Sequence, residues 1–224
     1  MLGVKKMRMR RKRWARPELS KCEYYIKNPC DMRGKWLSLF KKAQPLHLEL
    51  GCGKGVFLSR LARCNLDVNF IGIDMSDDIL GVARRNVEKE FEGISPKNIL
   101  LTRYNVEYCD KIFDNNDIVD RIYIYFCNPW PRRKHHKKRL THFRQLDKYK
   151  NFLNKNGIIH FKTDDDSLFS DSKKYFESSG FEIEYITHDL HNSEYVENNL
   201  LSEHEILFSN QGIPIKFLIA RAAQ

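Results

Sequence analysis

The stretch Leu48-Glu49-Leu50-Gly51-Cys52-Gly53-Lys54-Gly55 sets an acid and three closely spaced glycines at the end of a short apolar run. Glycines at that spacing let a backbone turn sharply and approach a ligand without a Cβ in the way. The next apolar run, VNFIGID, ends in Asp74, nineteen residues after Gly55. A carboxylate there can accept both hydroxyls of a ribose. The spacing is GxGxG, and Val56 stands where a dinucleotide fingerprint wants its third glycine, which disfavours an NAD site. No Gly-Lys-Ser/Thr ending follows, so a P-loop is excluded.

A second chemical stretch, Cys127 to Leu140, reads CNPWPRRKHHKKRL directly after the apolar run IYIYF. Pro129 and Pro131 fix φ and remove two backbone donors, so the loop is stiff and its direction is set. That stiffness orients the Asn128 side chain, which both donates and accepts hydrogen bonds. Trp130 can stack on a base or plug the core beneath the loop. Residues 132–139 then supply six Lys/Arg and two His, a set suited to phosphate contacts, which carry affinity rather than sequence choice.

The elements that must position these groups alternate. LHLEL, VNFIGID, NILLTRY, IVDRIYIYFCN and IIHFKT read as strands, the fourth as the longest. FEIEYIT and IPIKFLIA close the chain as two more. Between them VFLSRLAR, DDILGVARRNVEKEF, HFRQLDKYKNFLN and DSLFSDSKKYFESSG carry apolar residues at helical spacing. Asn156-Gly157 reads as the C-cap of the third of these helices. Pro17 is expected to open a short helix over ELSKCEYYI. The alternation predicts an α/β, Rossmann-like, mainly parallel seven-stranded sheet with helices on both faces. Ligands of such sheets sit beyond the carboxyl ends of the strands. That rule marks Gly51–Gly55, Asp74, Asn105, Asn128–Arg132 and Thr163–Asp164.

The chain has 224 residues, enough for one domain with a full core. No apolar run approaches the ~20 residues that span a bilayer, and no apolar segment follows the basic N-terminus, so neither a membrane span nor a signal peptide is expected. The net charge is +10. Residues 1–16 hold eight Lys/Arg and no acid, and together with 132–139 they point to a polyanionic partner. Residues 1–20 are assigned to a basic arm, flexible to about Arg16, and 21–224 to a single domain. Six cysteines without a CxxC pair read as free thiols in a reducing compartment, and no metal site is expected. His135 and His136 read as members of the basic loop. Asp164, Asp165 and Asp166 read as helix caps, and Glu203 and Glu205 as solvated acids or base-edge acceptors.

FCNPWPRRKHHKKRLTH resembles the signature of the bacterial tRNA (guanine-N7)-methyltransferases. MRMRRKRWARPEL, LELGCGKGVFL, IGIDMS, HFKTD, DLHNS and SEHEILFSNQGIPIKFLIA resemble the same family, so the likeness runs from about Met7 to Ala220. It implies a class I methyltransferase fold, a cytoplasmic enzyme, S-adenosyl-L-methionine as cofactor and tRNA as partner, working as a monomer or homodimer. On this likeness Glu49, Gly51, Gly53, Gly55, Asp74, Asn105 and Asn128 fall at cofactor positions. Arg132, Asp164, Ser202, Glu203, His204 and Glu205 fall at tRNA-substrate positions, and Asn128 at the catalytic one. Many members carry Asp where this chain has Asn128, and Asn105 replaces a frequent Asp. The alternatives are an RNA adenine-N6 methyltransferase, whose loop sets two prolines before the aromatic, and a catalytically silent tRNA-binding protein.

Overall fold

The computed structural model describes residues 11–197 and 199–222. Eight strands form one sheet in the order β1-β4-β3-β2-β5-β6-β8-β7. They are β1 (Tyr25–Ile26), β2 (Leu46–Leu50), β3 (Asn69–Asp74), β4 (Ile99–Arg103), β5 (Val119–Tyr125), β6 (Leu153–Thr163), β7 (Phe181–Thr187) and β8 (Lys216–Ala222). Every pairing from β1 through β6 is parallel, and β8 runs antiparallel between β6 and β7.

In β3 five of the six residues are buried, as expected of a strand covered on both faces, whereas β2 alternates Leu with the half-buried His47 and the buried Glu49. Leu46, Leu48 and Leu50 of β2 and Ile71 and Ile73 of β3 are wholly buried. Among the described residues six α-helices connect and cover the strands: α1 (Ala15–Ser20), α2 (Val56–Cys64), α3 (Asp77–Glu90), α4 (Phe143–Tyr149), α5 (Asp166–Ser178) and α6 (Glu203–Ser209). From β2 the chain steps outward through β3 to β4, and from β5 it steps the other way to β6. Right-handed crossovers in opposite directions put their helices on opposite faces. The reversal falls between β2 and β5, so the loops after these two strands open side by side.

Four local expectations are corrected. The sheet has eight strands rather than seven, because Tyr25–Ile26 adds at the β4 edge: Leu101 N donates to Tyr24 O at 2.8 Å and Thr102 Oγ1 to Ile26 O at 2.8 Å. That pairing replaces most of the helix expected over ELSKCEYYI. The helix instead starts at Ala15 and ends at Ser20, with Ala15 and Leu19 buried. The described part of the expected flexible arm is therefore docked. Lys12 N and the Arg16 side chain bind Asp78 and Asp77 at the start of α3, each at 2.8 Å. The rest of that arm, residues 1–10, lies outside the described residues. Third, α4 stops at Tyr149, and Asn156-Gly157 lies within β6, not at a helix end. Val119 N takes Phe152 O at 2.7 Å, so the chain is already pairing with β5 where the spacing of Leu146, Tyr149 and Phe152 imitates a helix. Fourth, this early start makes β6, with 11 residues, longer than β5 with 7.

Candidate active site

The glycine loop hangs from the end of β3. Gly51 N and Cys52 N both donate to Ile73 O, at 2.8 and 3.0 Å. Asp74 Oδ2 accepts from Gly53 N at 3.1 Å and Asp74 Oδ1 from Ser76 N at 3.0 Å. Gly51, Gly53 and Gly55 have φ of 84°, 54° and 67°, a region that side chains rarely enter. They differ in what surrounds them. A Cβ on Gly55 would stand 2.9 Å from Ala83 Cβ, so this glycine lets α2 close on α3. A Cβ on Gly51 or Gly53 would meet nothing within 4 Å, because both face open space.

That space is a cleft of about 370 Å³ between the glycine loop and the start of α6. Glu49 forms its floor. The side chain is 5 % exposed, and Oε2 is buried without a hydrogen-bond partner among the described residues. Burial, and then the nearby Asp74 carboxylate, push the Glu49 carboxyl up to about 8 against the pull of Lys162. Burial also raises Asp74, offset by its backbone donors. A buried acid without a partner is costly to ionise. The cleft therefore favours a ligand that brings donors or positive charge to Glu49 and a hydroxyl-bearing sugar to Asp74. A nucleoside with a cationic centre fits this donor set, and the bare glycines leave room for its backbone contacts.

The wall opposite is α6. Ser202 caps it, accepting from Glu205 N at 3.1 Å. Glu203 reaches across the cleft to Lys54 at 2.5 Å. The His204 ring lies 5.9 Å from that of Phe126, which also lines the cleft. Glu205 turns inward instead and is fully buried.

Asn128 stands two residues beyond Phe126. Its Oδ1 accepts from Trp130 N at 3.1 Å, a short turn that leaves the amide group exposed. Phe126 and Trp130 take φ of 51° and 45°, strained values for aromatic residues on either side of Asn128. Trp130 packs against the loop's own residues, with the His135 ring centre at 5.8 Å and Lys138 Nζ at 5.0 Å from its ring centre.

Glu49, the three glycines, Ser202, Glu203 and His204 thus share one cleft, with Asp74 bound to its rim. Asn128 borders it. Asn105 does not line it. Its Oδ1 caps the turn at Val106, accepting from Glu107 N at 3.1 Å. Arg132 is exposed on the basic loop, and Asp164 is half-buried beyond β6, its carboxyl raised by burial. Asp165 caps α5 through Leu168 N at 2.6 Å. Among the described residues no three His, Cys, Asp or Glu side chains are arranged to hold a metal ion.

Residues 43–218 match a family described as a putative methyltransferase. A protein of Clostridium beijerinckii named tRNA (guanine-N(7)-)-methyltransferase is 53% identical over 216 residues, 96% of this chain and 98% of that protein. One of the same name from Ruminiclostridium cellulolyticum is 52% identical, over 97% of this chain and 93% of its own. The chain belongs to the tRNA (guanine-N(7)-)-methyltransferase family. The fold reaches further than the sequence. The 16S rRNA methyltransferase KamB superposes with a TM-score of 0.58 at 12% identity, over 81% of this chain and 89% of that one. An antibiotic-related methyltransferase gives 0.56 at 21%, over 81% and 88%.

Within this tRNA (guanine-N(7)-)-methyltransferase family member, two buried cations beside the site escape a sequence reading. Lys162 sits in the buried C-terminal part of β6 and bonds Glu205 at 3.0 Å. Its one signal is a lysine inside IIHFKT. Arg139 ends the basic run and is 1 % exposed. Its one signal is Leu140, where the run turns back to the core.

Proposed function

We propose that the protein transfers a methyl group from S-adenosyl-L-methionine to N7 of a guanine in tRNA, the variable-loop guanine. The observation that carries this reading is the side-by-side opening of two loops at the sheet's reversal point: the Gly51–Gly55 cradle after β2, and Asn128–Trp130 after β5. One holds the methyl donor and the other presents the acceptor. The name and close similarity of the relatives supply the choice of tRNA and N7.

When bound, S-adenosyl-L-methionine supplies an electrophilic methyl on a sulfonium. Asp74 is suited to its ribose hydroxyls, and the partnerless Oε2 of Glu49 to its positive charge. Guanine N7 carries a free lone pair at neutral pH, and methylating it removes no proton. The protein therefore needs to align rather than to abstract, and alignment alone can lower a barrier by roughly 7–11 kcal/mol. Asn128 suits that task, since its amide can both accept from and donate to a guanine edge. The basic loop Arg132–Lys138 supplies positive charge for the tRNA backbone, and so does a groove of about 550 Å³ whose Arg11, Lys12, Arg13, Arg16 and Arg103 outnumber Asp77 and Asp78.

The test is a methyl-transfer assay with purified protein, S-adenosyl-L-methionine and an unmodified tRNA transcript, followed by nucleoside digestion and mass analysis. 7-Methylguanosine from one site supports the reading. N6-methyladenosine, or tight tRNA binding without any methylated product, overturns it.

A further inference from the structure

Arg139 closes a run of eight basic or imidazole residues, and it alone in that run is buried. Arg132, Arg133, Lys134 and Lys137 are exposed, and His135, His136 and Lys138 are half-buried. A guanidinium has five N–H groups in a fixed fork and stays charged at any ordinary pH, so burying one requires acceptors in the matching directions. Each is present. Nε donates to Pro129 O at 2.7 Å. Nη1 meets Asp171 Oδ2, on α5, at 2.6 Å. Nη2 lies 3.1 Å from His136 Nε2. Arginine can only donate, so His136 accepts on Nε2 and carries its proton on Nδ1, the atom that faces Asp171 at 3.9 Å.

The bond to Pro129 is the one that touches the reaction. Pro129 follows Asn128 directly. Neither Pro129 nor Pro131 has an N–H, so the carbonyls are the handles by which this loop can be fixed. Among the described residues the one bond of the Asn128 side chain, to Trp130 N, lies within the loop and does not tie it to the rest of the protein. The two aromatic residues flanking Asn128 hold positive φ, a conformation that persists only when its surroundings impose it.

We propose that Arg139 is a positioning residue for methyl transfer: by holding the Pro129 carbonyl against α5 through Asp171, it sets the position of the loop that carries Asn128 beyond the end of β5. It is not one of the phosphate contacts of the basic loop. This inference rests on the methyltransferase reading above. Its partners are Pro129, Asp171 and His136, and no part of its charge faces solvent.

The two roles separate experimentally. Arg139→Lys keeps the charge and loses the fork, so it cannot reach Pro129 O and Asp171 together. We expect kcat at saturating tRNA to fall about tenfold to a hundredfold, as for a misplacement of about 1 Å. The Kd for S-adenosyl-L-methionine stays unchanged, and Trp130 fluorescence shifts. The dependence of tRNA affinity on salt keeps its slope, whereas loss of a phosphate contact lowers that slope by about 1. Asp171→Asn, which keeps an acceptor for Nη1 and alters no loop residue, is expected to show the same pattern more weakly. It serves as the second variant if Arg139→Lys does not fold. Wild-type kcat in either folded variant overturns the proposal. So does a raised KM for tRNA with a lowered salt slope and unchanged kcat. Absence of 7-methylguanosine from the wild-type reaction would instead sink the underlying functional reading.

Discussion

Lys162 Nζ and Glu205 Oε2 meet at 3.0 Å inside the protein, where the two side chains are 3% and 0% exposed. His191 Nε2 stands 2.8 Å from the other carboxylate oxygen, and the Asn199 side-chain amide donates to it as well. Burial by itself would raise the Glu205 carboxyl, but Lys162 and these hydrogen bonds hold it below its ordinary value. Its oxygens are committed to the protein, so Glu205 acts by fixing α6, whose Ser202, Glu203 and His204 face the cleft. Glu205→Ala leaves Lys162 buried without its counter-charge, a loss of about 3–5 kcal/mol, and lowers Tm by roughly 10 °C. Differential scanning calorimetry checks this. An unchanged Tm with a raised KM for tRNA would return Glu205 to the substrate-contacting role that the family likeness implies.

Glu49 makes stability depend on pH in the opposite sense from a salt-bridged acid. Its carboxyl rises from 4.5 to about 8 on folding, so the folded state holds the proton more tightly. The free protein is therefore most favoured where both states are protonated, below about 4.5, as far as this group is concerned, and it loses stability as pH climbs through the window up to about 8. Glu49→Gln should flatten the fall of Tm across that window and raise Tm at its alkaline end. It should also weaken S-adenosyl-L-methionine binding. If the variant and wild-type Tm curves run parallel with pH, Glu49 is not the buried, partnerless acid described above.

The glycines of the cradle predict two different failures. Gly55→Ala forces a Cβ to within 2.9 Å of Ala83 Cβ at a φ of 67°, so it should destabilise the fold by about 1–3 kcal/mol. Gly53→Ala meets no neighbour within 4 Å, and its side chain projects into open space. It shares the positive-φ strain, at 54°, without the clash, so it should lose less Tm than Gly55→Ala and more cofactor affinity. Thermal melts paired with cofactor titrations decide, and equal effects from both variants would contradict the distinction.

Asn128 carries no charge, and the chemistry at N7 needs no base. The rate of methyl transfer at saturating substrates should therefore show no ionisation that belongs to position 128. Asn128→Ala should lower kcat/KM by about tenfold to a hundredfold through lost alignment. Asn128→Asp should keep activity, since a carboxylate favours a purine that is gaining positive charge. Steady-state kinetics of both variants test the point: an Ala variant equal to wild type would remove Asn128 from the mechanism.

Affinity for tRNA should fall steeply with salt because exposed Lys and Arg displace counterions from phosphates. With 6–10 phosphates engaged, the loss between 50 and 200 mM salt is about 10³–10⁵-fold. Arg132→Ala should reduce the slope by about 1. A flat response, measured by filter binding, would mean that the basic loop does not clamp the backbone.

What the sequence disclosed follows from how each feature is encoded. The strands and the long helices α3 and α5 are written in local periodicity, and β7 begins and ends where FEIEYIT does. The glycine cradle and Asp74 are likewise legible, since only particular residue types permit that turn. The failures are all decided by tertiary pairing. Tyr25–Ile26 is a strand because β4 offers an open edge, and Phe152–Leu153 leaves the helical pattern because Val119 is there to bond it. Arg139 and Glu205 look like surface charges in a string of letters. Their burial depends on Asp171 and Lys162, which arrive 32 residues further along and 43 residues earlier.

Strand β1 has only two residues, yet it covers the outer edge of β4. An uncovered strand presents a row of unpaired N–H and C=O groups that recruits other chains. The basic arm and this edge cover lie next to each other in the chain. A shortened protein made to probe the arm's charge must therefore begin ahead of α1 and keep β1. One that begins after Ile26 would leave β4 as a bare sheet margin, and its loss of function would report self-association instead of weakened RNA binding.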